Sequence, residues 1–240
     1  MDLQGQVILI TGASSGIGMA TARLLVPCKA RLVLTARSEE KLKKLAREVE
    51  AAGGEALPVT ADFSRIEEID DAFARTADAF GQVDMLINNA GLGVYGLVAE
   101  GNPKDWRRMI DLNLFGLMYA CQKALPFMLP RKRGHIINVS SVAGRFSIPG
   151  WAVYVATKWA VNGFTDSLRR EVCRENIRVT LIEPGAVDTP WGENIPPSFQ
   201  AQRSAFLSAE DVARGILYAI EQPPQVAVNE ILIRPTQQER

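Results

Sequence analysis

The chain has 240 residues, with 27 Lys and Arg against 27 Asp and Glu, so its formal charge is zero and neither nucleic acid nor an anionic membrane is favoured as a partner. Hydrophobic residues make up 47% and charged ones 22%, as in ordinary globular proteins, and no apolar run reaches the roughly 18 residues that a membrane span needs. Cys28, Cys121 and Cys173 are odd in number and widely spaced, which fits reduced thiols in the cytoplasm and offers no metal-ligand pattern.

Met1–Gly5 lacks the charged and apolar regions of a signal peptide and leads into a strand expected at Val7–Ile10. Helical periodicity follows at Ile17–Val26, then a strand at Arg31–Thr35 and a helix at Glu39–Ala52 whose apolar face is Leu42, Leu45, Val49 and Ala52. Next come a strand at Glu55–Thr60, a helix at Arg65–Phe80, a strand at Val83–Ile87 and one long helix at Pro103–Leu129. The basic triplet Arg131-Lys132-Arg133 reads as the solvated C-terminus of that helix. The last elements are a strand at His135–Ser140, a helix at Val153–Glu175, a strand at Arg178–Ile182, a helix at Ala209–Glu221 and a strand at Glu230–Ile233. Val, Ile and Leu fill the strands without strict alternation, as expected of strands covered on both faces. The β-α alternation argues for one α/β domain over residues 1–240, a Rossmann-type doubly wound parallel sheet of about seven strands with helices on both faces. The stretch about 187–208 lacks a regular element over most of its length, and Ile195-Pro196-Pro197 discourages a continuous helix there. A loop that long in a compact domain suggests a substrate-side role.

After the first strand stands Thr11-Gly12-Ala13-Ser14-Ser15-Gly16-Ile17-Gly18, and a helix begins at once. Strand, glycine turn and helix form the context of a dinucleotide-binding loop: the backbone turns tightly, and pyrophosphate lies on free N–H groups at the helix N-terminus. Gly12, Ser14, Ser15, Gly16, Ile17 and Gly18 are the candidate contacts. At the end of the second strand an acidic residue would bind the adenosine ribose and repel a 2′-phosphate; this chain has Ala36 and then Arg37, whose planar fork suits that phosphate. NADP is therefore the expected cofactor, with NAD as the alternative.

Tyr154 and Lys158 stand four apart, on one face if the segment is helical, and Ser140-Ser141 lies just upstream. The only histidine is His135, which opens a strand at the end away from these residues and reads as structural. An unperturbed phenol has a pKa near ~10. A neighbouring ammonium favours phenolate and lowers that value, so the pair reads as a tuned proton donor.

Together these segments resemble the short-chain dehydrogenase/reductase family over nearly the whole length. The resemblance rests on Thr11–Gly18, Asn88-Asn89-Ala90-Gly91, Asn113 within Asp111-Leu112-Asn113-Leu114, Ser140-Ser141, Tyr154 with Lys158, and Pro184-Gly185-Ala186-Val187-Asp188-Thr189. It implies that Tyr154 is the general acid/base and also a cofactor contact, that Lys158 lowers its pKa and holds the nicotinamide ribose, and that Ser141, thirteen residues before the tyrosine, is the serine of the site. It further implies that Asn113 supports a proton path to the lysine and that Asp62 and Asn89 contact the adenine side of the cofactor, with Ala90 beside it. Val187 and Thr189 become contacts to the nicotinamide carboxamide, and Pro184 and Gly185 further cofactor contacts. The implied activity is hydride transfer between nicotinamide and a carbonyl or secondary alcohol, without a metal, in a homodimer or homotetramer paired through the helices at Pro103–Leu129 and Val153–Glu175. An NAD-linked alcohol or sugar dehydrogenase is the alternative enzyme, and a silent NADP-binding sensor or scaffold the alternative of another class.

The chain departs from the family where Pro27-Cys28-Lys29-Ala30 replaces a frequent glycine. Its C-terminal run Asn229–Thr236 resembles a subgroup of small NADP-dependent reductases acting on hydroxy acids and aldehydes. Val94, Tyr95, Phe146, Trp151 and Trp191 flank the catalytic positions and could line an apolar substrate pocket or pack a core or lid. Arg145 reads as a surface cation rather than a clamp for a substrate carboxylate.

Overall fold

A computed structural model describes residues 3–193, 195–200 and 205–239. Seven strands form one parallel sheet: β1 (Val7–Thr11), β2 (Arg31–Ala36), β3 (Glu55–Thr60), β4 (Met85–Asn88), β5 (Gly134–Val139), β6 (Ile177–Pro184) and β7 (Glu230–Ile233), in the order β3-β2-β1-β4-β5-β6-β7. Every neighbouring pair is parallel and in continuous register, Leu9 against Val33 and Leu86, and Asn138 against Asn88 and Leu181. The order reverses between β1 and β4, so the connections that follow these two strands diverge and open a crevice at their carboxyl ends.

Strand alternation splits the core into two layers. Ile8, Ile10, Leu32 and Leu34 pack with α1 (Gly16–Leu25), α2 (Glu39–Ala51) and α8 (Ala209–Glu221) through Leu25, Leu42, Leu45, Val212 and Ile216. Val7, Leu9 and Val33 face the opposite way, onto α3 (Ile66–Phe80), α5 (Leu117–Met128) and α6 (Ala152–Val172) through Ile69, Phe73, Leu117, Ala124, Val161 and Leu168. The apolar face of α2 is Leu42, Leu45, Ala46 and Val49; Ala52 is instead the exposed C-cap, one residue past the last turn.

The long helix expected at Pro103–Leu129 is not continuous. It consists of α4 (Pro103–Ile110), a π turn at Asp111–Gly116, and α5. A π turn inserts one residue into the helical repeat and so rotates the side chains after it. Asn113 lies within it.

Arg131 also differs from expectation. Its guanidinium donates to Asp84 Oδ1 at 2.6 Å and to the Val83 carbonyl at 2.8 Å, and the Asp84 side chain is only 4% exposed. Because Asp84 Oδ2 also accepts from the Val7 N–H at 2.8 Å, the pair closes the amino end of the sheet, far from the crevice. Where glycine was expected, Lys29 adopts the left-handed conformation itself at φ 54° and ends the turn Val26–Cys28. Residues 194 and 201–204 of the substrate-side loop lie outside the described residues. The rest carries a bridge between Val187 and Leu207, a bridge between Val94 and Glu193, and the short helix α7 (Pro197–Gln200), which has proline at its first position. Among the described residues no helix is long and apolar enough to cross a membrane.

Candidate active site

The crevice at the carboxyl ends of β1, β4, β5 and β6 is a cavity of about 610 Å3. Gly12, Ser14, Ser15, Gly16, Ile17, Arg37, Asp62, Asn89, Ala90, Ser141, Tyr154, Lys158, Pro184, Gly185, Val187 and Thr189 all line it. Two residues singled out in the sequence stand behind it: Gly18, buried in the first turn of α1, and Asn113, buried under the cavity floor.

The glycine loop is held from the side. Thr11 Oγ1 accepts from the N–H groups of Asn89 and Ala90, both at 2.9 Å. Asn89 Nδ2 in turn donates to the carbonyls of Thr11 and Gly12 at 3.0 and 3.3 Å. The Asn89 amide thus fixes the turn after β1, besides lining the cavity. Gly12 has φ +66°, and a Cβ there would stand 2.9 Å from Ala90 Cα, so no side chain fits between the two turns. At the start of α1, Ser15 makes no side-chain capping bond and the first turn holds no acidic residue. That end presents free N–H groups to an anion. Arg37 and Lys41 line the same end of the cavity. Uncapped turn and close backbone approach fit a dinucleotide.

At the other end stand Ser141, Tyr154 and Lys158. Ser141 is extended at φ −172° and caps the turn Val142–Gly144 by accepting from the Ala143 N–H at 3.1 Å. Ser140 also borders the cavity, but its hydroxyl donates to Asn162 Oδ1 at 2.6 Å, so of the two serines only Ser141 presents its hydroxyl to the phenol. Burial pushes the Tyr154 phenol up from its ordinary pKa, and a hydrogen bond with Ser141 pulls it back. The lowering expected from Lys158 is not what dominates: the ammonium lies 5.7 Å from the Tyr154 ring centroid and donates to the Val139 carbonyl at 2.9 Å. Burial pushes Lys158 itself down to about 8. At neutral pH the phenol is therefore protonated and able to donate.

Asn113 ties the floor together. Its Oδ1 accepts from the Leu92 N–H and its Nδ2 donates to the Leu92 carbonyl, both at 2.8 Å. The Oδ1 also lies 3.5 Å, and Lys158 Nζ 3.9 Å, from where a Cβ on Gly91 would be. Asn113 and Lys158 therefore converge on one backbone position.

Above Tyr154 lies an aromatic wall. Trp191 stands 4.9 Å from the Tyr154 ring and stacks on Trp151 at 5.4 Å, and Tyr95 packs edge-on to Trp151 at 5.5 Å. Of the five apolar residues raised as pocket candidates, Trp151 and Trp191 line the cavity, while Val94 and Tyr95 pack behind them and Phe146 is not among the lining residues. Gly93 makes room for the stack, since a Cβ there would be 2.5 Å from Trp191 Cζ2. The loop carrying Trp191 is tied down by Glu193, which accepts from Arg108 of α4 at 2.9 Å; Arg108 also holds Asp105. Arg145 is no free surface cation: it forms a forked pair with Glu183, at 2.7 and 2.8 Å from Nε.

Several lining residues escaped the sequence reading. Leu92 follows the Asn88–Gly91 run directly and was within reach of it. Gln238, whose Oε1 accepts from the Ala186 N–H at 2.9 Å, comes from the far C-terminus and carries no local signal. His135 is buried, with Nε2 2.8 Å from Thr180 Oγ1, and takes no part in the cavity.

The family model described as short chain dehydrogenase matches residues 6–198. An uncharacterized oxidoreductase of Staphylococcus saprophyticus is 38% identical, the match covering 99% of this chain and 98% of the relative. Among solved structures, a metagenomic short-chain oxidoreductase in complex with NADP is 37% identical with a TM-score of 0.86, covering 99% of this chain and all of the other. An alcohol dehydrogenase from the archaeon Thermococcus sibiricus, complexed with 5-hydroxy-NADP, has a TM-score of 0.90 at 29% identity and covers 99% of both chains.

Proposed function

The chain belongs to the short-chain dehydrogenase/reductase family and is an NAD(P)-dependent oxidoreductase, and from that premise we propose that it reduces carbonyl compounds with NADPH, Tyr154 acting as the proton donor. The observation that carries the reading is the convergence of Ser141, Tyr154 and Lys158 on one end of a cavity whose other end is the glycine loop with Arg37. When bound, the cofactor supplies the hydride; everything else falls to side chains of this chain.

The glycine loop and the free N–H groups of α1 hold pyrophosphate, Arg37 selects the 2′-phosphate, and Asp62 and Asn89 border the adenine side. Pro184, Gly185, Val187 and Thr189 face the nicotinamide end. The Ser141 hydroxyl donates to the substrate carbonyl oxygen and stabilises negative charge that develops there. The Tyr154 phenol gives its proton to that oxygen, and the Lys158 ammonium stabilises the phenolate left behind. In the oxidative direction the same groups run backwards, Tyr154 accepting the alcohol proton. Trp151 and Trp191 keep water from the reacting end. The NADP complexes of the two solved relatives support the choice of cofactor.

The test is NADPH consumption measured across ketones, aldehydes such as 4-nitrobenzaldehyde, quinones and β-keto acids. Turnover in at least one class is expected; cofactor binding with no turnover anywhere would leave a silent binding protein. We also propose a homodimer or homotetramer in the cytoplasm, paired through α5 with the π turn before it and through α6, where Phe115 of the π turn is 41% and Trp159 of α6 is 52% exposed. Light scattering that finds a monomer overturns that part.

A further inference from the structure

Glu183 is the last residue but one of β6, directly before Pro184, and its carboxylate is 0% exposed. It accepts from Arg145 Nε at 2.7 and 2.8 Å, from a second Arg145 nitrogen, and from Asn162 Nδ2 at 2.8 Å. Asn162 also donates to the Gly144 carbonyl at 3.1 Å and accepts from the Ser140 hydroxyl at 2.6 Å. Arg145 pairs in addition with Glu230 on β7.

None of these charged groups lines the cavity, yet one carboxylate joins the three segments that build its reacting end. Arg145 and Gly144 belong to the turn capped by Ser141. Asn162 lies one turn beyond Lys158 on the helix that carries Tyr154. Glu183 itself leads into Pro184–Thr189. A buried ion pair is a poor source of stability, because desolvation cancels most of the attraction and an apolar pair of similar volume serves as well. What it does supply is direction: a fork on a carboxylate fixes both partners in angle as well as distance. Reacting groups need that, since misplacement by about 1 Å can cost about a hundredfold in rate.

We propose that Glu183 and Arg145 are positioning residues, whose ion pair, completed by Asn162, holds the Ser141 hydroxyl in register with the Tyr154 phenol. This rests on the reading of Ser141 and Tyr154 as the reacting pair.

The test is a double-mutant cycle of Arg145→Ala with Ser141→Ala, read with NADPH and 4-nitrobenzaldehyde and, without substrate, as phenolate absorbance on alkaline titration with Tyr154→Phe as reference. Arg131→Ala is the control, because it breaks another ion pair to a buried carboxylate at the opposite end of the sheet. Arg145→Ala is expected to lower kcat at least tenfold with KM within threefold, and to raise the phenol's apparent pKa as Ser141→Ala does. In the Ser141→Ala background it should cost less than twofold. Arg131→Ala should lower Tm without changing kcat. Arg145→Lys, which restores charge without the fork, and Glu183→Gln, which keeps the hydrogen-bonding shape, should both fold and fall between wild type and Arg145→Ala. Equal losses in both backgrounds, or an equal kcat loss in Arg131→Ala, overturn the positioning role. Turnover that survives Tyr154→Phe overturns the underlying reading as well, and is told apart by that variant alone.

Discussion

Asn113 and Thr157 are hydrogen-bonded, amide to hydroxyl at 3.2 Å, and the Thr157 hydroxyl donates in turn to the Tyr154 carbonyl at 2.7 Å. The π turn between α4 and α5 is thereby fastened to the first turns of the helix that carries the phenol. Asn113 meets both backbone groups of Leu92 as well, so its removal leaves part-buried polar atoms without protein partners, each costing up to about 1–3 kcal/mol. Asn113→Ala is expected to lose about 2–4 kcal/mol in urea unfolding and most of its turnover. Thr157→Val keeps the shape and the Leu92 clamp, and should lose less than about 1.5 kcal/mol. If the two variants were equally stable, the clamp on Leu92 would not be the larger interaction.

Tyr154→Phe removes one oxygen from a ring held by Trp151 and Trp191, so the fold and the cofactor end of the cavity should be untouched. General acid catalysis contributes about 10²–10⁴-fold, and kcat should fall by that factor. NADPH affinity, followed by quenching of tryptophan fluorescence, should change less than threefold. Loss of binding together with turnover would mean that the phenol holds the cofactor instead of serving as acid.

Arg37 is exposed at the edge of the cavity, beside Lys41. A charge-assisted contact to a 2′-phosphate is worth about 1.5–3 kcal/mol. Arg37→Ala should therefore lower kcat/KM for NADPH by about 10–100-fold while the value for NADH stays within twofold. Equal losses with both cofactors would assign Arg37 to the fold, and a wild type that prefers NADH would overturn the cofactor proposal outright.

Most of this arrangement is legible along the chain because its parts are local. Apolar strands of four to eight residues, a glycine turn between strand and helix, and a Tyr and Lys one helical turn apart each carry their geometry in consecutive residues. The π turn does not: its five-residue repeat leaves no mark in composition, so Pro103–Leu129 reads as one helix. Arg145 and Arg131 read as solvated because their carboxylates, Glu183 and Asp84, lie 38 and 47 residues away. Gly93 likewise looks like one more loop glycine until Trp191 is placed against it. The nearness of Lys158 to the phenol is likewise visible along the chain, whereas the burial that pushes the phenol up is not.

Lys158 supplies the last prediction, and its sign is opposite to that of a lysine gaining an ion-pair partner. Burial lowers its pKa from 10.5 to about 8, so the folded protein pays for a buried charge at neutral pH. Below pH 8 both folded and unfolded chains carry the proton, and the penalty, on the order of 3 kcal/mol, is complete. Between pH 8 and 10.5 the folded chain releases the proton while the unfolded one keeps it, so this group makes stability rise with pH. Tyr154, whose phenol is pushed up by burial, acts in the reverse sense only above about pH 10. The clean window is therefore pH 8–10. Lys158→Met, which fills similar volume without charge, should be the more stable protein at pH 7 despite losing the bond to Val139. Its advantage should shrink steadily between pH 8 and 10 as wild type sheds the proton. Urea unfolding of both proteins across that range is the measurement. Parallel stability curves would show that Lys158 keeps an ordinary pKa, and the ammonium would then be available to stabilise the phenolate over the whole range.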